Sequence, residues 1–250
     1  MTDYIYGKNS VLELLTDGKR NVNKILFSKG SHSDSKINKI IDLAKEKGIV
    51  FQFVPKEKFQ QFSEVSHQGV IAYVSPIEYI ELEDFIEKEK NTHKKIIIMD
   101  GVEDPHNLGS IIRTSVCAGF DAIIIPSRRN SIINSTVEKS SAGAINHIDI
   151  IMVNSLQAAI TRLKDNNFWI IASDASAKDN YYEIDYCDMN FAIVMGSEKS
   201  GISNGILKNA DFKIKIPMYN NFDSLNVANA ASIIIYESIR QIRQKSNLIV

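Results

Sequence analysis

Residues 96–125 read IIIMDGVEDPHNLGSIIRTSVCAGFDAIII, and this stretch decides the fold class of the larger part of the chain. Residues 96–99 and 122–125 are continuous apolar runs, and the segment between them has helical spacing that ends at Gly119. Strands that are apolar on both faces belong to a parallel sheet covered by helices on both sides. Similar runs recur at residues 169–172 and 191–195. The sequence therefore predicts an α/β domain over residues 96–250.

The segments between and after these runs have the spacing of helices. We predict helices at residues 108–118, 135–141, 155–166 and 224–244. The turn after residues 96–99 lacks the G-x-G-x-x-G pattern that a dinucleotide requires at this point of the fold. A nicotinamide or flavin dinucleotide site is therefore not expected.

The first third of the chain has a different pattern. Short helices at residues 9–15, 34–47 and 55–62 alternate with short β-rich runs at 24–28, 50–54 and 69–74. This predicts a small αβ domain over residues 1–75. Residues 76–95 hold six Asp and Glu residues, and we predict a solvated linker with a short helix there.

Composition limits the class of protein. The 250 residues are 44% hydrophobic and 24% charged, which is typical of a globular domain, and no apolar run has the length of a membrane span. Net charge is −1, yet residues 1–75 hold 11 Lys and Arg against 8 Asp and Glu, a weak bias that permits contact with RNA. We expect a cytoplasmic protein that does not contact a membrane.

Cysteine and histidine are sparse. The chain has two cysteines, Cys117 and Cys187, and five histidines scattered singly. Neither a disulfide framework nor a zinc site has this spacing. We therefore expect no metal cofactor.

Three separated segments carry residues suited to binding and chemistry. In the first, Asp104-Pro105 precedes a helix that Asn107 can cap, and Arg113 offers a fixed charge for a phosphate. In the second, Gly196 and Glu198 follow the strand 191–195, at the carboxyl end where α/β domains bind ligands. The third joins Ile216-Pro217-Met218 to Ser224-Leu225-Asn226, ahead of a long apolar helix.

The order and chemistry of these segments resemble the SpoU branch of RNA 2'-O-ribose methyltransferases. The resemblance implies the SPOUT-type α/β fold with a trefoil knot, S-adenosylmethionine as cofactor, and a homodimer in which the last helix is a candidate interface. Residues 5–11 (IYGKNSV), 67–70 (HQGV) and 139–144 (KSSAGA) fit the same family. The first two imply an L30e-like substrate-binding domain and the subfamily that methylates guanosine in 23S rRNA.

The resemblance also implies roles for individual residues. The catalytic and RNA-positioning candidates are Asn107, Arg113, Glu198, Ser224 and Asn226. The cofactor-binding candidates are Gly196, Ile216, Met218 and Leu225. Arg128 and Arg129, in the loop after residues 122–125, are candidate phosphate contacts for RNA.

Two alternatives share these motifs. A tRNA 2'-O-ribose methyltransferase would have the same three segments, and only the N-terminal part of the chain speaks for rRNA. An RNA-binding protein without activity would keep the fold, but the presence of both Arg113 and Asn226 counts against it.

Overall fold

The computed structural model describes residues 3–17, 20–30, 34–62, 67–88, 93–127, 133–220 and 224–246. The chain divides into two compact units. Unit 1 comprises Met1–Glu78 and Ile133–His147, and unit 2 comprises Tyr79–Ile132 and Ile148–Val250.

Strands and helices follow one another through the described residues. The strands are β1 (Asp3–Tyr6), β2 (Val22–Ser28), β3 (Phe51–Val54), β4 (Val70–Val74), β5 (Lys95–Asp100), β6 (Ala122–Pro126), β7 (Asp149–Val153), β8 (Phe168–Ser173), β9 (Asp179–Asn180), β10 (Asn190–Gly196) and β11 (Phe212–Lys215). The α-helices are α1 (Lys8–Asp17), α2 (Ser35–Glu46), α3 (Leu82–Glu87), α4 (Pro105–Cys117), α5 (Ser135–Ser140), α6 (Leu156–Asp165), α7 (Asn204–Asn209) and α8 (Val227–Lys245). Short 3-10 helices span Lys56–Phe62 and Ala144–His147.

Unit 1 is built on a mixed four-stranded sheet. The strand order is β1-β4-β2-β3, in which β4 is antiparallel to both neighbours and β2 is parallel to β3. The apolar side chains of α2 recur at helical spacing and are buried in the same core as Phe27 and Val70. The small N-terminal αβ domain that the sequence predicts is confirmed.

Unit 2 is built on a seven-stranded sheet in which every strand pair is parallel. The order is β7-β6-β5-β10-β8-β11-β9. All four side chains of residues 96–99 are fully buried, although they alternate between the two faces of the sheet. Both faces are therefore covered, and the predicted parallel α/β architecture is confirmed. The trefoil knot stays a prediction.

The structure differs from the predicted boundaries in two places. Residues 79–95 belong to unit 2, because Phe85 of α3 is buried in its core and Ile80 pairs with Ile151 of β7. The short helix predicted in this segment is present as α3, but its Phe85 side packs in the core instead of facing solvent. Residues 133–147 belong to unit 1, where a buried ion pair joins Glu138 of α5 to Arg20.

Candidate functional site

The first two sequence segments meet because their strands are neighbours in the sheet. β10 pairs in parallel with β5, with Met195 opposite Met99 and Gly196 opposite Asp100. Parallel neighbours end at the same edge, so the loops that follow them emerge side by side. A carboxylate oxygen of Asp100 accepts a hydrogen bond from the Ser203 backbone N–H at 2.7 Å and ties the two loops together.

Helix α4 begins earlier than its apolar pattern predicts. Asp104 is the N-cap and accepts a hydrogen bond from the His106 N–H at 2.9 Å, and Pro105 occupies the first turn. The prediction that Asn107 caps this helix is therefore wrong, because the carboxylate of Asp104 already fills that role. The Asn107 side chain is left to bond across the site.

Asn107, Glu198 and Asn226 form a hydrogen-bonded cluster at this edge. The Asn226 amide donates to Asn107 Oδ1 at 2.9 Å and to Glu198 Oε1 at 2.8 Å, and Asn107 Nδ2 donates to the same Glu198 oxygen at 3.1 Å. The Val227 backbone N–H approaches this oxygen at 3.5 Å. One residue from each of the three sequence segments therefore contributes to one polar cluster.

Helix α8 determines which way the Asn226 amide faces. Asn226 is the N-cap of this helix, and its Oδ1 accepts hydrogen bonds from the N–H groups of Ala228 at 3.0 Å and Asn229 at 3.4 Å. With the oxygen turned to the helix, the NH₂ group must face Glu198 and Asn107. The cap thus orients both donors of the cluster.

A cavity of about 410 Å³ opens beside the cluster, and Glu198 is part of its wall. All four predicted cofactor residues, Gly196, Ile216, Met218 and Leu225, line it, as does Ser224. Met218 and Leu225 are 38% and 36% exposed, and both line the cavity. A cavity of this volume, lined by both apolar and polar side chains, is of the size that binds small organic ligands.

Gly196 has a reason to be glycine that the sequence does not reveal. A Cβ at this position would lie 2.4 Å from the carbonyl carbon of Gly201 and 2.5 Å from the nitrogen of Ile202. The turn is closed by a bridge between Ser197 and Gly201. The space of the missing side chain is therefore taken by the chain's own backbone.

Arg113 lies apart from the cluster. It is exposed, and it has no hydrogen-bond or ion-pair partner within the residues that the structure describes. It follows Asn107 by six residues, which in an α-helix is about 9 Å along the axis and about 120° around it. The guanidinium therefore remains available for a ligand outside the cluster. Arg128 and Arg129 lie outside the described residues.

Sequence reasoning missed two charged residues of the cavity wall, Asp174 and Lys215. Asp174 directly follows β8, and its carboxylate accepts hydrogen bonds from the backbone and the hydroxyl of Ser176, both at 2.9 Å. The rule that ligands bind at the carboxyl ends of parallel strands would have found it. Lys215 ends β11, a short strand whose alternating sequence FKIK has no long apolar run.

Within the described residues, no group of three or more His, Cys, Asp or Glu residues could hold a metal ion. Among the helices described, none has both the length and the apolar character to cross a bilayer.

Two family models match the chain. The SpoU rRNA Methylase family matches residues 94–236, and the family for RNA 2'-O ribose methyltransferase substrate binding matches residues 4–80. A Staphylococcus epidermidis protein described as a TrmH family tRNA/rRNA methyltransferase is 42% identical to this chain over 247 residues. The aligned residues cover 97% of this chain and 98% of the staphylococcal protein.

Solved structures share the fold. The SpoU methyltransferase AviRb of Streptomyces viridochromogenes aligns with a TM-score of 0.81 at 19% identity, over 98% of this chain and 91% of that one. An AdoMet-bound rRNA methyltransferase of Sinorhizobium meliloti aligns with a TM-score of 0.80 at 22% identity, over 96% and 87% of the two chains. The TrmH/SpoU tRNA-modifying enzyme of A. aeolicus is 30% identical over 66% of this chain and 86% of its own, with a TM-score of 0.56.

Proposed function

Because this chain belongs to the SpoU rRNA methylase family, we propose that it transfers a methyl group from S-adenosylmethionine to the 2'-hydroxyl of a guanosine ribose in 23S rRNA, as RlmB-type enzymes do. The observation that carries this proposal is the cluster of Asn107, Glu198 and Asn226 beside the cavity. The three residues come from three distant segments, and each has the residue type that the family resemblance implies.

The cavity is suited to S-adenosylmethionine. Ile216, Met218 and Leu225 provide apolar surface for the adenine ring, and Gly196, the last residue of β10, contributes to the cavity wall. The carboxylate of Asp174 can receive hydrogen bonds from ribose hydroxyls or from an ammonium group. When bound, the cofactor supplies an electrophilic methyl group on its sulfonium sulfur.

The chain's own residues would align and activate the attacking hydroxyl. Glu198 uses Oε1 to accept the amide hydrogen bonds, while its Oε2 has no hydrogen bond within the described residues. This second oxygen can accept a hydrogen bond from the ribose 2'-hydroxyl and orient its lone pair. Displacement at carbon needs such alignment more than it needs a metal.

Arg113 and Ser224 complete the proposed catalytic set. A guanidinium keeps its proton in proteins, so Arg113 serves as a positive charge that binds an RNA phosphate and stabilises developing alkoxide charge. Its exposure and lack of partners within the described residues support this role. Ser224 lies in the cavity wall and offers a hydroxyl close to the cluster residue Asn226.

The match of residues 4–80 to a substrate-binding family supports an RNA partner for the N-terminal unit. We propose that residues 1–75 act as an L30e-like domain that binds looped 23S rRNA, with Arg128 and Arg129 as further phosphate contacts. Single-stranded or looped segments expose the ribose and base edges that a duplex shields. An rRNA substrate would place the enzyme in the cytoplasm.

We also propose a homodimer. Helix α8 packs along α4, and Tyr236 of α8 is half exposed. A large exposed aromatic side chain on a long helix is typical of a protein interface.

A tRNA substrate is the second candidate. It is favoured by the likeness to the A. aeolicus tRNA-modifying enzyme and by the name of the staphylococcal relatives, which covers both RNAs. An RNA-binding protein without activity is less well supported, because Arg113 and Asn226, the residues whose loss would favour it, are both present.

The test is methyl transfer from radiolabelled S-adenosylmethionine to unmodified 23S rRNA and to bulk tRNA, with Arg113→Ala as the matched variant. We expect label on 23S rRNA at a single guanosine, and we expect Arg113→Ala to lose it while still binding the cofactor. Label on tRNA alone selects the second candidate. Absence of label on both RNAs contradicts the proposal.

A further inference from the structure

Unit 1 has a cleft of its own at one end of its sheet. β2 and β3 are parallel and β4 is antiparallel to β2, so the carboxyl ends of β2 and β3 and the start of β4 lie at the same edge. Backbone hydrogen bonds join the strand ends at this edge: the Ser28 N–H donates to Gly69 O, and the Lys29 N–H donates to Val54 O, both at 2.9 Å. The cleft between these strand ends has a volume of about 570 Å³.

Two lysines at the rim of this cleft carry unneutralised charge. Lys29 follows β2 and Lys56 begins the first 3-10 helix, and both are exposed and line the cleft. Neither ammonium has an ion-pair or hydrogen-bond partner within the described residues. By contrast, Lys8 at the neighbouring end of α1 is neutralised by Asp34. The cleft therefore holds positive charge that the fold itself does not use.

His67, in the wall of the cleft, provides a hydrogen-bond donor whose position is fixed by its neighbours. Its Nδ1 accepts a hydrogen bond from the Gly69 N–H at 3.0 Å, so the neutral ring carries its proton on Nε2. The ring packs on buried Phe59, with centroids 4.7 Å apart, and this contact holds it in place. The Nε2–H group has no partner within the described residues and is left for a ligand.

We propose that this cleft binds one nucleotide of the RNA substrate, with the phosphate between Lys29 and Lys56 and with a hydrogen bond from His67. The inference rests on the proposed function, because it takes RNA as the substrate. It adds the place on unit 1 where that RNA binds. Paired cations with a neutral donor are suited to a phosphodiester, and the volume is sufficient for a single nucleotide.

The test measures the affinity of the full chain for in vitro transcribed 23S rRNA at several salt concentrations. We compare the wild type with the Lys29→Gln/Lys56→Gln variant. Each lysine that contacts a phosphate of single-stranded RNA adds about 0.7 to the slope of log K against log salt, or about fivefold in affinity at 0.1 M salt. We expect the double variant to bind about 25-fold more weakly and its slope to fall by about 1.4.

The matched control is Lys45→Gln/Lys47→Gln. These lysines are exposed at the far end of α2, away from the cleft, and their removal changes net charge by the same amount. The control should bind RNA within about twofold of wild type, because charges beyond a Debye length are screened. Equal weakening in both double variants would overturn the inference, since the effect would then be one of net charge.

Two further readouts separate this inference from the proposed function. The cofactor cavity lies in unit 2, so Lys29→Gln/Lys56→Gln should bind S-adenosylmethionine as the wild type does, while an unchanged circular dichroism spectrum and urea unfolding curve report that unit 1 is folded. If the wild type methylates RNA and the cleft variant binds RNA normally, the proposed RNA site in the cleft is contradicted and the proposed function is not. If the wild type methylates no RNA but its RNA affinity depends on the cleft lysines, the proposed function is contradicted and the RNA site in the cleft is supported.

Discussion

Asn226 has two structural roles, one in helix capping and one in the polar cluster, and different substitutions can separate them. Its oxygen caps α8, while its NH₂ group bridges Asn107 and Glu198. Asn226→Ser keeps a good N-cap but removes the bridge, and Asn226→Ala removes both. Comparing the two variants shows which task methyl transfer needs.

The structure indicates the size of each effect on stability. Loss of the cap costs about 1 kcal/mol. The two bridging hydrogen bonds contribute about 0.5 kcal/mol each, at the low end of the usual range because Asn226 and Glu198 are exposed to water. We therefore expect free energies of unfolding lower by about 1 kcal/mol for Asn226→Ser and about 2 kcal/mol for Asn226→Ala. The difference between them corresponds to about 2–4 °C in Tm.

Activity should respond to the bridge rather than to the cap. Without the Asn226 amide, Asn107 and Glu198 lose the contact that orients them, and a misplacement of about 1 Å can cost about 100-fold in rate. We expect both variants to lose about 100-fold in single-turnover methyl transfer at saturating cofactor and RNA. S-adenosylmethionine affinity, measured by calorimetry, serves as the control for an intact cavity. If Asn226→Ser is as active as wild type while Asn226→Ala is not, the residue acts only through its cap and the reasoning is refuted.

Three other predictions concern the rest of the molecule. Arg20→Ala should lower the free energy of unfolding by about 3–5 kcal/mol, because it leaves the Glu138 carboxylate buried without its cation, whereas Arg20→Met/Glu138→Leu should recover most of the loss in urea denaturation. The hydrogen bond from Lys8 lowers the pKa of Asp34, so the ionised Asp34 carboxylate stabilises the fold fully above about pH 4, and this stabilisation is lost as the pH falls further. Asp34→Asn keeps the cap of α2 and should reduce this acid dependence of the free energy of unfolding, measured by urea titrations from about pH 2 to 6. Met218→Ala should raise the Kd for S-adenosylmethionine about fivefold through the loss of about 1 kcal/mol of apolar contact, while Tyr219→Ala, outside the cavity wall, should leave it unchanged.

The parallel sheet was predictable because its signal is local. Each central strand is apolar on both faces, and this pattern needs no knowledge of distant contacts. Among the strands that were missed, β11 alternates polar and apolar residues, and β7, although it holds the apolar run IIMV, is separated from the preceding 3-10 helix by a single residue. The acidic surface of α3 likewise concealed the burial of Phe85.

The candidate site was predictable as a set of residues but not as an arrangement. Ser224 and Asn226 are both good cap residues next to a long apolar helix, which is a local feature, and the structure shows that Asn226 is the cap. The wrong prediction of a cap at Asn107 shows what the sequence does not determine. Asp104 and Asn107 are both good cap residues, and only the backbone conformation decides which of them caps α4.

The amino-acid sequence by itself determined the two αβ units, the parallel sheet and the residue types that stand at strand ends and helix starts, because periodicity, caps and turns act over a few residues. The tertiary structure alone decided which of these residues meet. Asn107, Glu198 and Asn226 lie 28 to 119 residues apart and come together because β5 and β10 are neighbours and α4 packs along α8. The same is true of residues 133–147, which leave unit 2 and bury Glu138 beside Arg20 in unit 1. Such pairings depend on the free energy of packing the whole chain, which no local pattern contains.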